Sequence, residues 1–326
     1  MDEMADSGGT LVTGGAGFIG SHVVEALLAR GERVVCVDNF DSFYDPAVKR
    51  ANLHAAASHA NFTLAEADIR DLAAMTALCE THRIDRIVHA AARAGVRPSV
   101  ADPFLYEDVN VKGTMVMLEA ARRRSLRTFV FASSSSVYGG LTTVPFSETA
   151  TLSRPISPYA ATKLAGEQLC YTYHHLYRIP ITCLRFFTVY GPRQRPEMAI
   201  HQFVRLIEEG KSIPVYGDGG SKRDFTYIDD IVQGVLAALD RPFPFEVFNL
   251  GESDTIELRD LIRLMEQYLG KPARIETLPP QPGDMPITFA DITKARAQLG
   301  YRPGTPVKEG LKRFVTWFRE TQRGKA

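Results

Sequence analysis

A glycine-rich turn close to the start of the chain restricts the fold more than any other feature of the sequence. The apolar run Thr10–Thr13 leads directly into Gly14–Gly20, and a helical pattern follows. Gly14, Gly17 and Gly20 fit G-x-x-G-x-x-G, in which glycine permits a tight turn and lets the backbone approach a pyrophosphate. The helix that follows offers free N–H groups and its positive dipole end to an anion. This context predicts a dinucleotide site, and a purely structural turn is the alternative.

Strand-like runs and helical patterns alternate through the first half of the chain. Segments such as Ser21–Arg30 and Val111–Arg124 have helical periodicity between apolar runs of strand length. This alternation predicts an α/β fold with a doubly wound parallel (Rossmann) sheet, covered by helices on both sides, whose strands are apolar on both faces. The predicted strands are Thr10–Thr13, Arg33–Asp38, Phe62–Ala67, Arg86–Ala90, Thr128–Ala132 and Ile181–Phe186.

Acidic residues end the second and third predicted strands. Asp38 follows Gly20 by 18 residues, where a carboxylate accepts hydrogen bonds from the adenosine ribose hydroxyls and repels a 2′-phosphate. We therefore expect NAD rather than NADP as the cofactor. Asp68 and Ile69 end the third strand, where an adenine edge would lie, although Asp68 could equally be a helix N-cap.

The pattern changes after Phe187, where loops lengthen and glycine and proline cluster. We expect residues 1–187 to form an NAD-binding Rossmann domain, which residues 225–251 rejoin through a strand at Val247–Leu250. Residues 188–224 and 252–326 are expected to form a smaller, discontinuous C-terminal domain for the substrate.

A tyrosine and a lysine four residues apart supply the candidate reacting groups. Tyr159 and Lys163 form Y-x-x-x-K in a helical segment, so both side chains point the same way. A free tyrosine has a pKa of about 10, and the nearby ammonium is expected to favour the phenolate. The hydroxyls of Ser133–Ser136 follow the fifth strand and are expected to point into the crevice, although any one of them could be a capping serine.

Composition excludes several classes of function. Lys and Arg together number 38, as do Asp and Glu, so no net basic field attracts nucleic acid. The four cysteines are scattered without metal-ligand spacing, and we expect no metal. The polar start Met1–Asp6 is unlike a signal peptide, and apolar runs fall far short of the roughly 20 residues of a membrane helix. We expect a cytoplasmic protein without a membrane partner.

Together these motifs resemble the extended short-chain dehydrogenase/reductase family, which contains nucleotide-sugar epimerases and dehydratases. Similar segments occur at His89–Ala91, Asn110–Thr114 and Arg223–Asp230. The resemblance implies a catalytic triad of Tyr159, Lys163 and Ser134, with Asn110 near their helix. It implies bound NAD, contacted by Gly14, Gly17, Phe18, Ile19, Gly20, Asp38, Asn39, Asp68, Ile69, Ala90, Ala91, Ala92, Tyr159 and Lys163.

The resemblance also implies contacts to a UDP-sugar. Arg223 would bind the diphosphate, and Val215 and Tyr216 would flank the uracil. Asp284 would lie near the uridine ribose, while Gln281 stands where related UDP-galactose 4-epimerases often have an arginine. Family members pair their helices near residues 105–124 and 159–177 in a homodimer, which we also expect here.

Two stretches, Ala94–Arg97 and Arg185–Ala199, resemble UDP-glucuronate 4-epimerases in particular. The resemblance implies interconversion of UDP-glucuronate and UDP-galacturonate through a 4-keto intermediate. Arg195 suits a bidentate pair with the sugar carboxylate, although it could instead make a surface ion pair. The expected substrate contacts are Arg97, Ser134, Ser135, Ser136, Tyr159, Thr188, Arg195, Val215, Tyr216, Arg223 and Asp284.

Serines distinguish this chain from related enzymes with other products. Ser135 and Ser136 stand where dehydratases have acidic residues, and Ser136 stands where decarboxylases have a glutamate. We expect these serines, with Thr188 and Arg195, to restrain the carboxylate against loss of carbon dioxide. The alternatives are a UDP-glucose 4-epimerase, a UDP-glucuronate decarboxylase, and a non-catalytic dinucleotide sensor, which would not need Tyr159 or Lys163.

Overall fold

The computed structural model describes residues 8–279 and 285–323. The strands are short, as in other open α/β sheets. In chain order they are β1 (Gly9–Thr13), β2 (Val34–Asp38), β3 (Phe62–Glu66), β4 (Ile84–His89), β5 (Thr128–Ser134), β6 (Ile181–Phe186), β7 (Thr188–Tyr190), β8 (Ser212–Tyr216), β9 (Lys222–Arg223), β10 (Phe225–Tyr227), β11 (Phe245–Leu250), β12 (Ile256–Glu257) and β13 (Arg274–Leu278).

Helices occupy most of the connections between these strands. A π-helix at Glu107–Lys112 precedes one of them, and a 3-10 turn at Ser135–Tyr138 follows β5. The α-helices are α1 (Phe18–Ala29), α2 (Pro46–Asn52), α3 (His54–Ala57), α4 (Leu72–Thr81), α5 (Val96–Ala101), α6 (Pro103–Tyr106), α7 (Gly113–Arg122), α8 (Pro158–Tyr177), α9 (Ala199–Glu208), α10 (Ile228–Asp240), α11 (Leu258–Leu269), α12 (Thr293–Gln298) and α13 (Val307–Arg323).

A seven-stranded parallel sheet forms the centre of the fold, in the order β11-β6-β5-β4-β1-β2-β3. The strand order reverses between β1 and β4, so the connections from these two strands diverge and leave a crevice at their carboxyl ends. The predicted doubly wound α/β fold is confirmed. The segment Val247–Leu250 lies in β11, at the edge of this sheet beside β6.

Alternate residues of each central strand enter two separate hydrophobic cores. Leu11 belongs to the core beneath α4, α7 and α8, whereas its neighbour Val12 belongs to the core beneath α1 and α10. The second core continues without a break into α9, α11 and α13, through residues such as Phe203 and Phe314. The C-terminal segments therefore pack directly against one face of the sheet.

The edge strand β3 departs from the sequence-based expectation. Thr63, Leu64 and Glu66 are exposed, and the side chain of Leu64 is 41% accessible. The expectation that every strand is apolar on both faces is therefore wrong for β3. A strand at the end of a sheet has one neighbour only, and here the helices cover it incompletely.

Outside the main sheet, the remaining strands form three short pairs. β10 pairs with β7 in parallel, β12 with β9 antiparallel, and β13 with β8 in parallel. The β10–β7 pair continues from the end of β6 and places Thr188 beside Phe225. This arrangement carries the chain from the carboxyl end of the main sheet into the C-terminal segments.

Candidate active site

The carboxyl ends of the central strands open into a cavity of about 500 Å³. It runs from the glycine-rich turn past the end of β5 to the segments after β6. Every residue proposed for the cofactor site lines it. These residues are Gly14, Gly17, Phe18, Ile19, Gly20, Asp38, Asn39, Asp68, Ile69, Ala90, Ala91, Ala92, Tyr159 and Lys163.

The glycine-rich turn fits tightly against its neighbours. Gly14 has φ of +67°, and a Cβ atom on it would lie 2.8 Å from the backbone nitrogen of Ala91. A Cβ atom on Gly20 would lie 2.1 Å from the carbonyl oxygen of Gly14. No side chain caps the amino end of α1, where Gly17 is the N-cap residue. The first N–H groups of α1, from Phe18 to Gly20, therefore remain available to an anion, as a pyrophosphate site requires.

Asp38 is held rigidly at the end of β2. Its carboxylate accepts hydrogen bonds from the backbone N–H of Ala16 (3.2 Å) and of Phe40 (2.9 Å). The ammonium of Lys49 lies 3.7 Å from Oδ1, and both residues are buried. A ribose at this end of the cavity would meet a fixed carboxylate and a lysine together.

Asp68 is not the helix N-cap that the sequence allowed as an alternative. Asp71 caps α4 by accepting a hydrogen bond from the N–H of Ala74. The carboxylate of Asp68 instead accepts from the guanidinium of Arg70 and the amide of Asn39. The hydrogen bonds from Arg70 hold the pKa of Asp68 well below its usual range. The charged carboxylate of Asp68 therefore lines the cavity beside Asn39.

The tyrosine and lysine lie together at the start of α8. Ser157 caps this helix by accepting a hydrogen bond from the N–H of Ala160 (3.1 Å). Ser134 lies close enough to the hydroxyl of Tyr159 to lower the pKa of this phenol. The ammonium of Lys163, which is 4% exposed, donates to the carbonyl oxygen of Ala132 (2.7 Å). Helix and strand thus present the predicted triad at one end of the cavity.

Burial and neighbouring groups act in opposite directions on the pKa of Tyr159. Burial raises the pKa of Tyr159, while the nearby Ser134 and the positive charge of Arg195 oppose that rise. Burial also lowers the pKa of Lys163 to about 8. Among the chain's own groups, Ser134 and Arg195 therefore favour the phenolate.

The four serines at the end of β5 and directly after it do not all point their hydroxyls into the cavity. Ser134 Oγ accepts from the N–H of Ser136 (3.2 Å), whereas Ser133 donates to the buried Glu167 (2.6 Å). Ser133 also lines the cavity, but its hydroxyl is directed to Glu167, so the expectation of four hydroxyls in the crevice is wrong for Ser133. Successive strand residues point to opposite faces. Ser136 lines the cavity, and its Oγ is buried without a hydrogen-bond partner among the described residues.

Three proposed substrate residues line the far part of the cavity, namely Thr188, Arg195 and Arg223. Arg195 both lines the cavity and makes the ion pair that the sequence allowed as an alternative, with Nε 2.8 Å from Oε1 of Glu197. Its side chain is 22% exposed. The guanidinium is thus reachable from the cavity while already neighbouring one carboxylate.

The cavity lining does not include Arg97, Val215 or Tyr216. The guanidinium of Arg97 stacks 4.2 Å above the ring of Tyr216, so these two residues meet each other beside the cavity. Val215 is 4% exposed because it faces inward from β8. Asp284 and Gln281 lie outside the described residues.

The segment that follows β2 contributes to the cavity, although its sequence pattern did not predict this. Phe43 lines the cavity between two arginines, with Arg93 at 5.2 Å and Arg195 at 5.6 Å from its ring centre. Two adjacent aromatic residues in a polar loop directly after a strand end could have marked this segment. The other unpredicted side chains of the lining include Asp41, Tyr44, Lys49, Met198, Met285 and Thr288.

Asn110 lies near the active-site helix. Its side chain accepts from the N–H of Arg93 (2.7 Å) and donates to the hydroxyl of Thr162 (3.0 Å). Thr162 donates in turn to the carbonyl oxygen of Tyr159 (2.9 Å). Asn110 therefore joins the loop after β4 to the first turn of α8.

Within residues 8–279 and 285–323, no group of three or more His, Cys, Asp or Glu side chains is placed to hold a metal ion. The helices in that part of the chain include none with the length and apolar character needed to cross a membrane.

Comparisons with known proteins agree with this geometry. The sequence profile of the NAD dependent epimerase/dehydratase family matches residues 10–251. A UDP-glucuronate 4-epimerase of Thermodesulfobacterium geofontis is 44% identical over 95% of this chain and 96% of its own length. The crystal structure of UDP-glucuronic acid 4-epimerase from Bacillus cereus, in complex with UDP-glucuronic acid and NAD, has a TM-score of 0.91 at 39% identity and covers 96% of this chain and 99% of the other. UDP-glucose 4-epimerase from Thermotoga maritima, solved with UDP-glucose, has a TM-score of 0.89 at 34% identity, with 96% and 99% covered. The chain belongs to the NAD-dependent epimerase/dehydratase family.

Proposed function

We propose that this chain interconverts UDP-glucuronate and UDP-galacturonate by inversion at carbon 4, through a 4-keto intermediate and without loss of carbon dioxide. One observation carries the proposal: the cavity that contains the Tyr159–Ser134 pair also contains a cationic Arg195 and the hydroxyl of Ser136, which has no hydrogen-bond partner among the described residues. The UDP-glucuronate 4-epimerases among the relatives and solved structures support the same substrate.

The residues at the amino end of α1 fit NAD. The glycine-rich turn and the first N–H groups of α1 would hold the pyrophosphate, and Asp38 would hold the adenosine ribose hydroxyls. Lys163 would hold the nicotinamide ribose. NAD supplies a hydride acceptor when bound, so that carbon 4 can be oxidised to a ketone and then reduced from its other face.

Tyr159 moves the proton in both half-reactions. As a phenolate it accepts the proton of the sugar 4-hydroxyl while carbon 4 is oxidised. The nearby hydroxyl of Ser134 stabilises the charged phenol oxygen. After the keto sugar has presented its opposite face, Tyr159 returns the proton to the 4-oxygen.

The carboxylate must be restrained during the keto stage. A 4-keto uronic acid is a β-keto acid, and it loses carbon dioxide fastest when the breaking bond lies perpendicular to the ketone plane. Arg195, Thr188 and the hydroxyls of Ser135 and Ser136 hold the carboxylate out of that alignment. These groups supply one cation and neutral hydroxyls, and Ser135 and Ser136 provide no acid for the dehydratase or decarboxylase reactions.

The remaining substrate contacts are assigned to the C-terminal segments. Arg223 binds the diphosphate, while Tyr216, Arg97 and Val215 lie at the uracil, with the Arg97–Tyr216 stack as its support. In this proposal, residues 188–224 and 252–326 form the nucleotide-sugar domain.

An exposed apolar face supports a homodimer. Val100, Phe104, Met115 and Leu176 are 63%, 84%, 41% and 59% exposed, on α5, α6, α7 and α8. Burying such a patch against its symmetric copy would be favourable. A measured molar mass equal to that of the monomer at micromolar concentration would contradict the dimer. Phe104→Glu should shift the equilibrium from dimer toward monomer.

The four cysteines are free and buried, which supports the reducing cytoplasm as the compartment.

The decisive experiment is incubation of the purified protein with UDP-glucuronate, without added reductant, followed by separation of the products. We expect UDP-galacturonate, at an amount that does not depend on added NAD if the cofactor stays bound. The appearance of UDP-xylose or a 4-keto pentose alone would make the enzyme a decarboxylase.

UDP-glucose serves as the second substrate in the same assay. Turnover of UDP-glucose but not of UDP-glucuronate would identify a UDP-glucose 4-epimerase. Tyr159→Phe should abolish turnover of either sugar while leaving the protein folded. Inactivity of the wild-type protein with both sugars would contradict the proposed function.

A further inference from the structure

Glu167 lies on α8 four residues after Lys163, and it is 3% exposed. Three hydrogen bonds reach its carboxylate. Ser133 Oγ donates to Oε1 (2.6 Å), Arg185 Nε donates to Oε1 (2.9 Å), and Arg185 Nη2 donates to Oε2 (2.7 Å). Both oxygens of this buried carboxylate thus accept hydrogen bonds, one helical turn away from Lys163.

The partners of Glu167 belong to the strands that carry the site. Ser133 immediately precedes Ser134 on β5, and Arg185 lies on β6 three residues before Thr188. Arg185 Nη1 also donates to the phenol oxygen of Tyr138 (3.1 Å), in the turn that contains Ser135 and Ser136. The carboxylate of Glu167 therefore joins α8, which carries Tyr159, to β5, which carries Ser134. It also joins α8 to β6, the strand that leads to Thr188.

Stability alone does not account for this arrangement. Replacing a buried ion pair by apolar side chains of similar volume is often neutral or stabilising, because removing two charges from water is costly. A fully hydrogen-bonded pair does, however, fix three elements in one relative position. Displacement of a reacting group by about 1 Å can cost roughly a hundredfold in rate.

We propose that Glu167 is a positioning residue, which sets the separation between the phenol of Tyr159 and the hydroxyl of Ser134 through its bonds to Ser133 and Arg185. The proposal rests on the proposed function, because it assumes that this pair of hydroxyls does the proton transfer. Glu167 itself does not line the cavity.

Three variants test the proposal. Ser133→Ala removes only the bond between strand and helix, and we expect kcat to fall about tenfold with little change in KM. The double variant Glu167→Met/Arg185→Met removes the network without leaving a buried charge, and we expect kcat to fall roughly a hundredfold with a melting temperature close to that of the wild type. The matched control is Glu32→Met/Arg86→Met, a half-buried ion pair (2.7 Å) away from the cavity lining, which should leave kcat unchanged.

A second readout does not depend on the substrate. The ionisation of Tyr159 can be followed as the ultraviolet difference between each variant and the same variant carrying Tyr159→Phe. Since the nearby Ser134 favours the phenolate, Ser133→Ala should move this titration to higher pH. Unchanged kcat and unchanged titration in Ser133→Ala would overturn the proposal, even if the double variant failed to fold. A shifted titration in a protein that turns over neither sugar would refute the proposed function and retain the positioning role.

Discussion

The guanidinium of Arg195 lies 2.8 Å from the carboxylate of Glu197, measured from Nε to Oε1, while the same side chain lines the cavity. The group assigned to the sugar carboxylate therefore already neighbours a carboxylate from its own chain. A uronate entering the cavity competes with Glu197 for the guanidinium or shares it through the remaining N–H groups.

Removing the competing carboxylate should strengthen uronate binding. Partly exposed ion pairs contribute about 0.2–1 kcal/mol, so Glu197→Gln should lower KM for UDP-glucuronate by up to about fivefold and leave KM for UDP-glucose unchanged. Initial rates over a range of each sugar measure both constants. Glu209→Gln, which removes a carboxylate paired with Lys211 on the surface, is the control. Equal changes for the two sugars would mean that Glu197 does not compete with the substrate carboxylate.

Loss of Arg195 should weaken both binding and carboxylate restraint. A hydrogen bond to a charged group contributes about 1.5–3 kcal/mol, so Arg195→Ala should reduce kcat/KM for UDP-glucuronate by roughly 10- to 150-fold. Trapping of carbon dioxide from carboxyl-labelled substrate should detect increased decarboxylation. If neither quantity changes, Arg195 has been misassigned.

The rate should rise with pH as Tyr159 ionises. Burial raises the pKa of Tyr159, so the phenolate fraction is small at neutral pH and grows as the solution becomes more alkaline. Arg195 lowers this pKa, and Arg195→Ala should therefore move the rising limb of kcat to higher pH. The pH dependence of kcat at saturating UDP-glucuronate measures this rising limb, with Arg193→Ala as the control. If kcat rises at the same pH in Arg195→Ala as in Arg193→Ala, Arg195 has no electrostatic effect on the phenol of Tyr159.

A methyl group on the glycine-rich turn should expel the cofactor. In Gly20→Ala the new Cβ atom would lie 2.1 Å from the carbonyl oxygen of Gly14, so the turn must shift. We expect purified Gly20→Ala to carry little NAD, measured by absorbance after denaturation and cofactor extraction. Gly304→Ala is the control, because the nearest heavy atom to its Cβ would be 4.0 Å away. Full NAD content in Gly20→Ala would show that the cofactor binds elsewhere.

A cluster of acidic residues beneath β10 should make stability depend on pH. Burial and the charges of Asp230, Asp224 and Asp254 raise the pKa of Glu252 to about 7, and Glu252 Oε2 is buried without a hydrogen-bond partner among the described residues. A carboxyl whose pKa is raised on folding binds more protons in the folded state. Its contribution to stability is therefore lost as pH rises between the unfolded value of about 4.5 and about 7.

Glu252→Gln should consequently raise the melting temperature at pH 8, by roughly 1–3 °C, and change it little at pH 4.5. Scanning calorimetry at the two pH values measures the effect. Glu80→Gln, at an exposed position of α4, should have no effect at either pH. A destabilised Glu252→Gln at pH 8 would mean that the carboxylate has a partner that compensates its burial.

Local patterns predicted most of the main sheet because its strands are buried on both faces. Ile181–Phe186 has the predicted bounds, and α1 begins at Phe18 rather than at Ser21 because Gly17 is its N-cap. The α-helix predicted from Val111 begins only after a π-helix at Glu107–Lys112. The spacing of apolar side chains in the sequence does not distinguish a π-helical turn from an α-helical one. The exposure of β3 depends on strand order, which no short segment of sequence contains.

The cofactor end of the site was more predictable than the substrate end. Glycine spacing and strand ends define the turn at Gly14 and the carboxylate of Asp38 within one βαβ unit. Phe43, by contrast, reaches the cavity only because the loop after β2 meets Arg195 from a segment more than a hundred residues later. Contacts of that kind are set by tertiary packing.

A continuous hydrophobic core, which extends from Val12 on β1 to Phe314 on α13, affects how the protein unfolds. Because the two parts of the chain share this apolar interior, neither can melt while the other retains its packing. Thermal denaturation should therefore be a single cooperative transition, with calorimetric and van't Hoff enthalpies in agreement.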